Sequence, residues 1–326
     1  MNELALAAFA AARDEHAVDH AARSRRFAAF CRNLDRDEYL GRLEARGIRW
    51  VARSDARFPT RLRSIHDPPP GLFVRGARDV DLLERLGVAI VGARSCSDYG
   101  AHVARSFAEA LGRSGVVVVS GLARGVDGWA HRGVLDAGGD TIAVLGCGID
   151  RDYPRAHSAL ATRIIESGLI VSEYPPGVEP APWRFPARNR IVAGLAAATV
   201  VVEARERSGA LITADLALEE GREVLAVPGE ITAPLSRGSN ALLRAGATPA
   251  TSVADILAAV GVEPPESTPP SLTPAAEAAL AALGAGAATA DEVVRVTSLE
   301  PPTVAAALME LELAGVVREA AGVYRR

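Results

Sequence analysis

Short apolar runs rich in valine and isoleucine alternate with helix-like segments through the middle of the chain. Each run ends at a turn, and the residues after the turn have helical spacing. Continuous apolar strands separated by helices are typical of a parallel sheet covered on both faces. The pattern therefore predicts a doubly wound α/β domain over residues 41–260. The predicted strands are Val88–Val91, Val116–Val119, Thr141–Leu145, Leu169–Val171, Thr199–Val202 and Val224–Val227, and the predicted helices span about residues 100–113, 128–137, 157–167, 188–196 and 209–221.

The amino-terminal part of the chain has a different pattern. Residues 1–40 are rich in alanine and in charged side chains, which predicts a small helical region. Gly47–Gly76 follows neither a helical nor a strand period and contains a run of three prolines. We expect this stretch to be irregular.

The carboxyl-terminal part predicts a linker and a second, smaller domain. Residues 261–274 contain five prolines among serine and threonine, which is typical of a linker. In residues 275–326, a capping box at Thr289–Glu292 begins one helix and the pair Pro301-Pro302 begins the next. Val316–Tyr324 then alternates like a hairpin. Helices followed by a hairpin predict a winged-helix-like domain.

The composition narrows the classes of function. Hydrophobic residues make up 49% of the 326 positions, which indicates a folded protein. Cys31, Cys96 and Cys147 have no paired spacing, and the sequence has no Cys/His cluster of the kind that binds metals. We therefore expect neither a metal nor a cofactor. No apolar run approaches the length of a membrane span, so we expect a cytoplasmic protein.

Charge is locally concentrated rather than global. The formal net charge is −4, which provides no overall attraction to nucleic acid. Residues 181–210, however, hold five arginines against two glutamates, and Arg184, Arg188 and Arg190 lie beside Phe185. Guanidinium groups fit phosphates and flat rings stack on bases, so this window is a candidate anion site. Surface arginines around a buried phenylalanine explain the same window equally well.

Three of the predicted strands end in glycine-rich turns, namely Gly92–Ser95, Ser120–Asp127 and Gly146–Gly148. Ligands bind at such strand ends in open parallel sheets, and the following helix N-termini can hold phosphates. Arg94 and Arg124 add positive charge there. None of the turns matches the dinucleotide or P-loop fingerprints, and tight strand-to-helix connections need glycine as well.

Other polar residues near these strand ends can be explained by structural roles instead of ligand binding. Ser208 and Gly209 open a predicted helix, where they either contact a phosphate or act as a cap. Asp127 would repel a phosphate, so we expect it to cap the helix that follows it. His131 has no evident carboxylate partner and is expected to be a packing or surface residue.

The ordered motifs of the chain resemble the DNA-processing protein A family, also called DprA or Smf. The resemblance runs from about Gly47 to the carboxyl terminus, and so many blocks in the same order are far more specific than any one of them. The matching blocks are Ile90–Arg94, Val118–Asp127, Thr141–Gly148, Ser172–Pro176, Phe185–Leu195, Ser208–Ala214, Gly221–Gly229 and Gly238–Ala247, and Met309–Gly315 is similar to the winged-helix end of the family.

The resemblance implies a protein of natural transformation and recombination without catalysis. Members of the family bind and protect incoming single-stranded DNA through an extended Rossmann-like domain, form homodimers and help to load the RecA recombinase. Many members have lysine just before the Phe-Pro pair, where this chain has Arg184. The resemblance implies a DNA pocket at Arg94, the N–H groups of the Ser120-Gly121 turn, Arg184, Phe185, Arg188, Asn189 and Arg190.

Together with the residues singled out by their position at strand ends, the candidate contacts to DNA or phosphate are Gly92, Arg94, Ser95, Ser120, Gly121, Arg124, Arg184, Phe185, Arg188, Asn189, Arg190, Ser208 and Gly209.

Two other functions are weighed against DNA binding by the main domain. A nucleotide-processing hydrolase similar to the phosphoribohydrolases would need a Pro-Gly-Gly-x-Gly-Thr loop with a catalytic glutamate, and Glu203–Gly209 lacks that loop. A transcription factor would read bases with the second winged-helix helix. That helix, Thr303–Leu313, has Glu310 and Glu312 but no Arg, Asn or Gln to read base edges.

Overall fold

The structure, a computed structural model, describes residues 2–13, 25–263, 272–284, 287–320 and 322–325. The chain divides into two compact units, Met1–Pro264 and Pro265–Arg326. Most of the expected linker, residues 264–271, lies outside the described residues. Among the helices of the described ranges, none has both the length and the apolar character needed to cross a membrane.

The first unit is built on a nine-stranded sheet with the strand order β1-β2-β6-β5-β4-β3-β7-β8-β9. Seven neighbouring strands, β3 to β9, run parallel, which confirms the predicted doubly wound sheet. The order reverses beside β3, where the chain returns to add β7 on the other side. The strands are β1 Arg49–Ala52, β2 Gly71–Arg75, β3 Gly87–Val91, β4 Val117–Ser120, β5 Thr141–Val144, β6 Leu169–Ser172, β7 Ala198–Val201, β8 Glu223–Ala226 and β9 Thr248–Pro249.

The expectation that Gly47–Gly76 is irregular is wrong at both of its ends. β1 and β2 pair antiparallel, and β2 continues the sheet antiparallel to β6. Trp50 packs on Phe73 across this pair, with ring centres 4.5 Å apart. Phe73 is fully buried together with its neighbours Leu72 and Val74, so the pair of strands is held by burial of apolar and aromatic surface.

Helices cover both faces of the sheet because alternate strand residues point to opposite sides. Val88 and Ile90 of β3 pack with one group of helices, whereas Ala89 and Val91 pack with the other. The helices of this unit are α1 Glu3–Ala12, α2 Arg25–Asn33, α3 Arg36–Glu44, α4 Thr60–Arg63, α5 Asp98–Arg113, α6 Val126–Asp136, α7 Ser158–Ser167, α8 Arg184–Leu195, α9 Gly209–Glu219, α10 Arg237–Arg244 and α11 Val253–Ala259.

The second unit has the predicted winged-helix arrangement. It contains α12 Pro274–Leu283, α13 Ala290–Thr297 and α14 Pro301–Leu313, with a three-stranded sheet of β10 Ala287–Thr289, β11 Arg318–Ala320 and β12 Val323–Arg325. The capping box at the start of α13 is present, because the Thr289 hydroxyl accepts from the Glu292 N–H while the Glu292 carboxylate accepts from Thr289 N–H. Val304, Leu308 and Leu311 form the buried stripe of α14.

Candidate nucleic-acid interface

A cavity of about 970 Å³ opens at the edge of the sheet where β4 and β5 end. Gly121 in the turn after β4, Gly146 in the turn after β5 and Phe185 in the first turn of α8 all line it. Because parallel strands end at the same edge, the fold brings together turns that are far apart in sequence. The cavity is as large as the roomiest ordinary ligand pockets, which measure roughly 300–1,000 Å³.

The wall of this cavity carries an excess of positive charge. Five arginines and three carboxylates line it, and each carboxylate already has an arginine partner. Asp150 pairs with Arg46 at 2.9 Å, Asp152 pairs with Arg75 at 3.8 Å, and Glu179 pairs with Arg151 at 2.5 Å. Among the described residues no ion pair is formed by the remaining exposed cations, which are Arg94, Arg124 and Arg155.

Phe185 is half-buried at the cavity and has both a cation and a second aromatic ring close to its own ring. The Arg94 guanidinium lies 5.4 Å from the centre of the Phe185 ring. The ring of Tyr153, which is 41% exposed, lies 5.4 Å from it with the two planes 32° apart. The cavity thus combines free guanidinium groups with two accessible rings, the combination used to hold phosphates and to stack bases.

Arg188 forms part of the floor. Its side chain donates through Nη1 to the Gly121 carbonyl at 2.8 Å and to the Val144 carbonyl, and through Nε to the Asn189 side chain. Burial lowers the pKa of Arg188, and the nearby Asp127 carboxylate opposes that shift. The guanidinium is therefore a fixed positive charge that ties α8 to the ends of β4 and β5.

A second cavity of about 220 Å³ lies where the strand order reverses, between the end of β3 and the start of α9. The two cavities share part of their walls, because Arg94, Phe185 and Arg188 line both of them. Four further predicted contacts line only this second cavity, namely Gly92, Asn189, Ser208 and Gly209. Ser208 also caps α9, since its hydroxyl accepts from the Ala210 N–H.

The turn after β4 does not offer the N–H groups that the resemblance implies. Asp127 accepts from the Gly121 N–H at 3.1 Å and from the Ala123 N–H at 3.3 Å, so those donors are occupied. Asp127 is not the helix N-cap, which is Gly125, but lies in the first turn of α6. Leu122 between them has a φ of 57°, a conformation that favours glycine, so the carboxylate holds a strained turn in place.

Arg190 departs from the expected site and lines neither cavity. It donates to both carboxylate oxygens of Glu173, at 2.9 and 2.7 Å, and also pairs with Asp67 at 3.0 Å. Burial alone would lower the pKa of Arg190, but Glu173 and Asp67 outweigh it and raise that pKa. The physical reason is helical geometry, because positions two apart differ by roughly 200° and Arg188 already faces the cavity.

Three other predicted contacts also lie outside both cavities. The Arg184 guanidinium lies 5.0 Å from the Tyr174 ring centre and 5.1 Å from that of Trp183, and its Nη1 donates to the Glu179 carbonyl. The Ser120 hydroxyl is buried and donates to the Ile90 carbonyl. Ser95 is exposed and lines neither cavity.

Glu203, the carboxylate that a hydrolase would need, is occupied by the fold. It is buried and accepts from the backbone N–H and the hydroxyl of Ser97, at 2.9 and 2.5 Å, next to the start of α5. It lines neither cavity. Within the described residues there is also no group of three His, Cys, Asp or Glu side chains that could hold a metal ion.

His131 is confirmed as a packing residue rather than a surface one. It is fully buried, and its Nδ1 lies 2.8 Å from the Thr141 hydroxyl, which donates its own proton to the Val118 carbonyl. Nδ1 must therefore carry the proton and donate. Burial is the main cause that lowers the pKa of His131 to about 3, so the ring is neutral.

The sequence reasoning missed the segment that follows β5. Arg151, Tyr153 and Arg155 line the large cavity. A usable signal was present, because the basic and aromatic pentapeptide 151–155 begins three residues after the glycine-rich turn that ends at Gly148. Such a composition at a strand end predicts contact with a negatively charged ligand.

Comparison with known proteins identifies both units. Residues 49–261 match the family model of DNA recombination-mediator protein A, and residues 263–323 match that of the DprA winged helix domain. A putative DNA processing protein DprA of Mycobacterium tuberculosis is 41% identical over 315 residues, which cover 90% of this chain and 81% of that protein. The DNA processing protein DprA of Streptococcus pneumoniae is 46% identical over 204 residues, which cover 63% of this chain and 71% of that protein.

Solved structures give the same result for the fold. The crystal structure of DNA processing protein A from Streptococcus pneumoniae superposes with a TM-score of 0.67 at 39% identity and covers 78% of this chain and 91% of that one. A structure of DNA processing protein A from Helicobacter pylori superposes with a TM-score of 0.58 at 31% identity and covers 62% of this chain and 92% of that one. The work on the Helicobacter protein concerns its single-stranded DNA binding mode.

Proposed function

Because the chain belongs to the DNA-processing protein A (DprA/Smf) family of recombination mediators, we propose that it binds single-stranded DNA in the large cavity at the edge of its sheet. The observation that carries the proposal is the set of unpaired arginines around accessible rings. Arg94, Arg124 and Arg155 surround the cavity without a carboxylate partner among the described residues, while Phe185 and Tyr153 face the same space.

The chemistry favours a single strand over a duplex. A base can stack on Phe185 or Tyr153 only if it is free of its own stack and pair, which a single strand allows at little cost. The guanidinium groups contact phosphates, which carry no sequence information, so the binding tolerates any base order. Arg188 contributes positive charge from the floor, because its hydrogen bonds hold it in place before the strand arrives.

The small cavity extends the same site rather than forming another. It shares its arginines and its phenylalanine with the large cavity, and it adds the start of α9 at Ser208 and Gly209. A helix N-terminus carries partial positive charge and a free N–H, so it suits a phosphate of the same strand. Gly92 and Asn189 shape this end of the groove.

Three finer statements belong to the same proposal. The chain helps to load the RecA recombinase on the bound strand, acts as a homodimer, and serves the uptake of DNA in natural transformation. Their support is membership of a family of recombination mediators and the resemblance of the whole ordered set of motifs. We further propose that the winged-helix unit does not read a duplex, since α14 presents Met309, Glu312 and Leu313 to solvent instead of base-reading side chains.

A hydrolytic function receives no support from the site. Glu203 is engaged at the start of α5, and a recombination mediator needs no bond-breaking chemistry.

A comparison of single-stranded and double-stranded oligonucleotides of equal length tests the proposal. Gel shifts are measured over a range of salt concentrations, with the wild type beside Arg94→Ala and Arg113→Ala. Arg113 is a matched control, because it is an exposed arginine on α5 that already pairs with Glu109. We expect tighter binding of the single strand, a loss with Arg94→Ala and no change with Arg113→Ala. Equal or tighter binding of the duplex would contradict the proposal.

A further inference from the structure

Arg132 on α6 is a partly buried cation that forms no ion pair among the described residues. Within the described residues it forms no ion pair and no hydrogen bond, and its guanidinium lies 5.1 Å from the centre of the Trp129 ring. Burial, followed by the repulsion from Arg163, lowers the pKa of Arg132. Removing a charge from water is unfavourable unless a partner compensates for it, so such a group is suited to receiving an anion from outside.

The Asp136 carboxylate opposes this lowering of the pKa only in part, and it forms its ion pairs with two other arginines. Asp136, one turn further along α6, pairs with Arg105 at 2.9 Å and with Arg163 at 2.7 Å. The other carboxylate of α6, Asp127, is buried against the turn after β4. Three arginines, Arg105, Arg132 and Arg163, therefore lie around the single carboxylate of Asp136.

The side chain of Arg132 is directed toward the end of α6 that adjoins the large cavity. A Cβ added at Gly128 would lie 3.0 Å from Arg132 Nη1 and 2.6 Å from Cε1 of His157. The approach to the His157 ring is what disfavours a side chain at position 128, and the nearby Nη1 shows that the Arg132 guanidinium lies back over the first turns of the helix, the direction that helical side chains favour. His157 donates through Nδ1 to the Leu122 carbonyl and closes this corner.

The geometry points to Arg132 as a phosphate contact for DNA that has left the large cavity. Arg124 at the start of α6 and Arg155 beside His157 line the cavity, and both are exposed and unpaired among the described residues. A strand that passes between Arg124 and Arg155 meets Arg132 next. The planar guanidinium binds two phosphate oxygens at once, and the Trp129 ring supports its plane from beneath.

This inference rests on the proposed function and assigns a direction to the strand: it leaves the cavity over the start of α6. Arg132 therefore contributes only to strands long enough to extend beyond the cavity. A residue within the cavity, such as Arg94, contributes to short and long strands alike.

Fluorescence anisotropy with two oligothymidylates, about four and about sixteen nucleotides long, tests the inference; these lengths span the site sizes of single-strand binding folds. Arg132→Gln removes the charge and keeps most of the side-chain stem, and Arg113→Ala is the control for loss of an arginine elsewhere. Melting curves establish that each variant is folded.

We expect Arg132→Gln to bind the long strand roughly two- to fivefold more weakly at low salt, the effect of one partly exposed ion pair. The slope of log affinity against log salt should fall in magnitude by about 0.7 for one lost phosphate contact. The short strand should bind to Arg132→Gln with the same affinity as to the wild type. Unchanged binding of the long strand at every salt concentration would overturn the inference, and so would equal weakening for both lengths. If the wild type binds neither strand, the proposed function itself fails.

Discussion

The guanidinium of Arg94, at the end of β3, lies 5.4 Å from the centre of the Phe185 ring, in the first turn of α8. Arg94 can bind a phosphate and Phe185 can stack on a base, and both residues line the two cavities. A cation over an aromatic face is worth about 0.5–1 kcal/mol at an exposed site. The contact therefore favours this arrangement of the two side chains but is weak enough for a ligand to displace. The two residues contribute to binding in different ways, which mutations can separate.

Replacement of Arg94 by alanine should weaken the binding of single strands and make it less sensitive to salt. Each phosphate that is neutralised on a single strand contributes about −0.7 to the slope of log affinity against log salt. We expect the slope of Arg94→Ala to be smaller in magnitude by about that amount, as measured by anisotropy over a salt series. Arg113→Ala should keep the wild-type slope. A parallel loss in both variants would mean that only the net charge matters.

Replacement of Phe185 by alanine should weaken binding without a change in salt dependence. Stacking on an aromatic ring is worth roughly 1–3 kcal/mol per base, and the ring carries no charge. The measurement is the same salt series, accompanied by a thermal melt because Phe185 is half-buried. An affinity equal to the wild type's in a folded variant would remove Phe185 from the site. Phe185→Tyr, which keeps the ring, should restore most of the affinity.

The buried pair of Glu173 and Arg190 should stabilise the fold rather than contact DNA. The side chains are 1% and 9% exposed, and removal of one partner from a buried pair typically costs about 3–5 kcal/mol. We expect Glu173→Gln to lower the free energy of unfolding by less than this full cost, because Asp67 still pairs with Arg190; the measurement is a denaturant titration.

The double variant Glu173→Leu with Arg190→Met shows whether the loss of stability comes from losing the ion pair or from leaving one buried charge without its partner. Because no unpaired charge then remains buried, its free energy of unfolding should lie above that of Glu173→Gln. It should also bind single strands with nearly the affinity of the wild type. A large loss of affinity in this folded double variant would return Arg190 to the DNA site.

The buried His131 should make stability depend on pH below about 6.5, the usual pKa of histidine. Its pKa is lowered to about 3, so between these values the unfolded chain binds a proton that the folded chain does not. The histidine's contribution is therefore complete above pH 6.5 and is lost as the pH falls, by about 1.4 kcal/mol per pH unit. His131→Asn keeps a donor toward Thr141 but cannot titrate. Denaturant titrations from pH 7 to pH 4 should show a steeper loss for the wild type than for His131→Asn, and equal slopes would contradict the assignment.

The parallel strands could be predicted because a strand that is buried on both faces is a continuous apolar run. β1 and β9 could not be predicted in this way. β2 contains the fully buried apolar run Leu72–Val74 and could have been predicted by the same rule, whereas β1 is only partly buried and becomes a strand by antiparallel pairing with β2. β9 consists of the two exposed residues Thr248 and Pro249, which carry no apolar signal.

The sequence predicted the glycine-rich turns and the arginine-rich residues 181–210 as parts of the site. It could not predict in which direction each side chain points. Arg188 and Arg190 are equivalent in composition, and only the rotation of α8 directs one to the cavity and the other to Glu173. The sequence does not reveal that the Gly121 N–H donates to the Asp127 carboxylate, which makes it unavailable to a ligand. Tyr153 and Arg155 become part of the site only because the sheet places the end of β5 beside α8.

Photo-crosslinking of a single strand that carries 5-iodouracil tests the central claim most directly, because the modified base reacts preferentially with an aromatic ring on which it stacks. After irradiation and trypsin digestion, mass spectrometry identifies the peptide that carries the nucleotide. The account predicts crosslinks in peptides that contain Phe185 or Tyr153, reduced by an excess of unmodified strand. Crosslinks confined to other parts of the chain, such as the peptide with Tyr324 in the winged-helix unit, would contradict it.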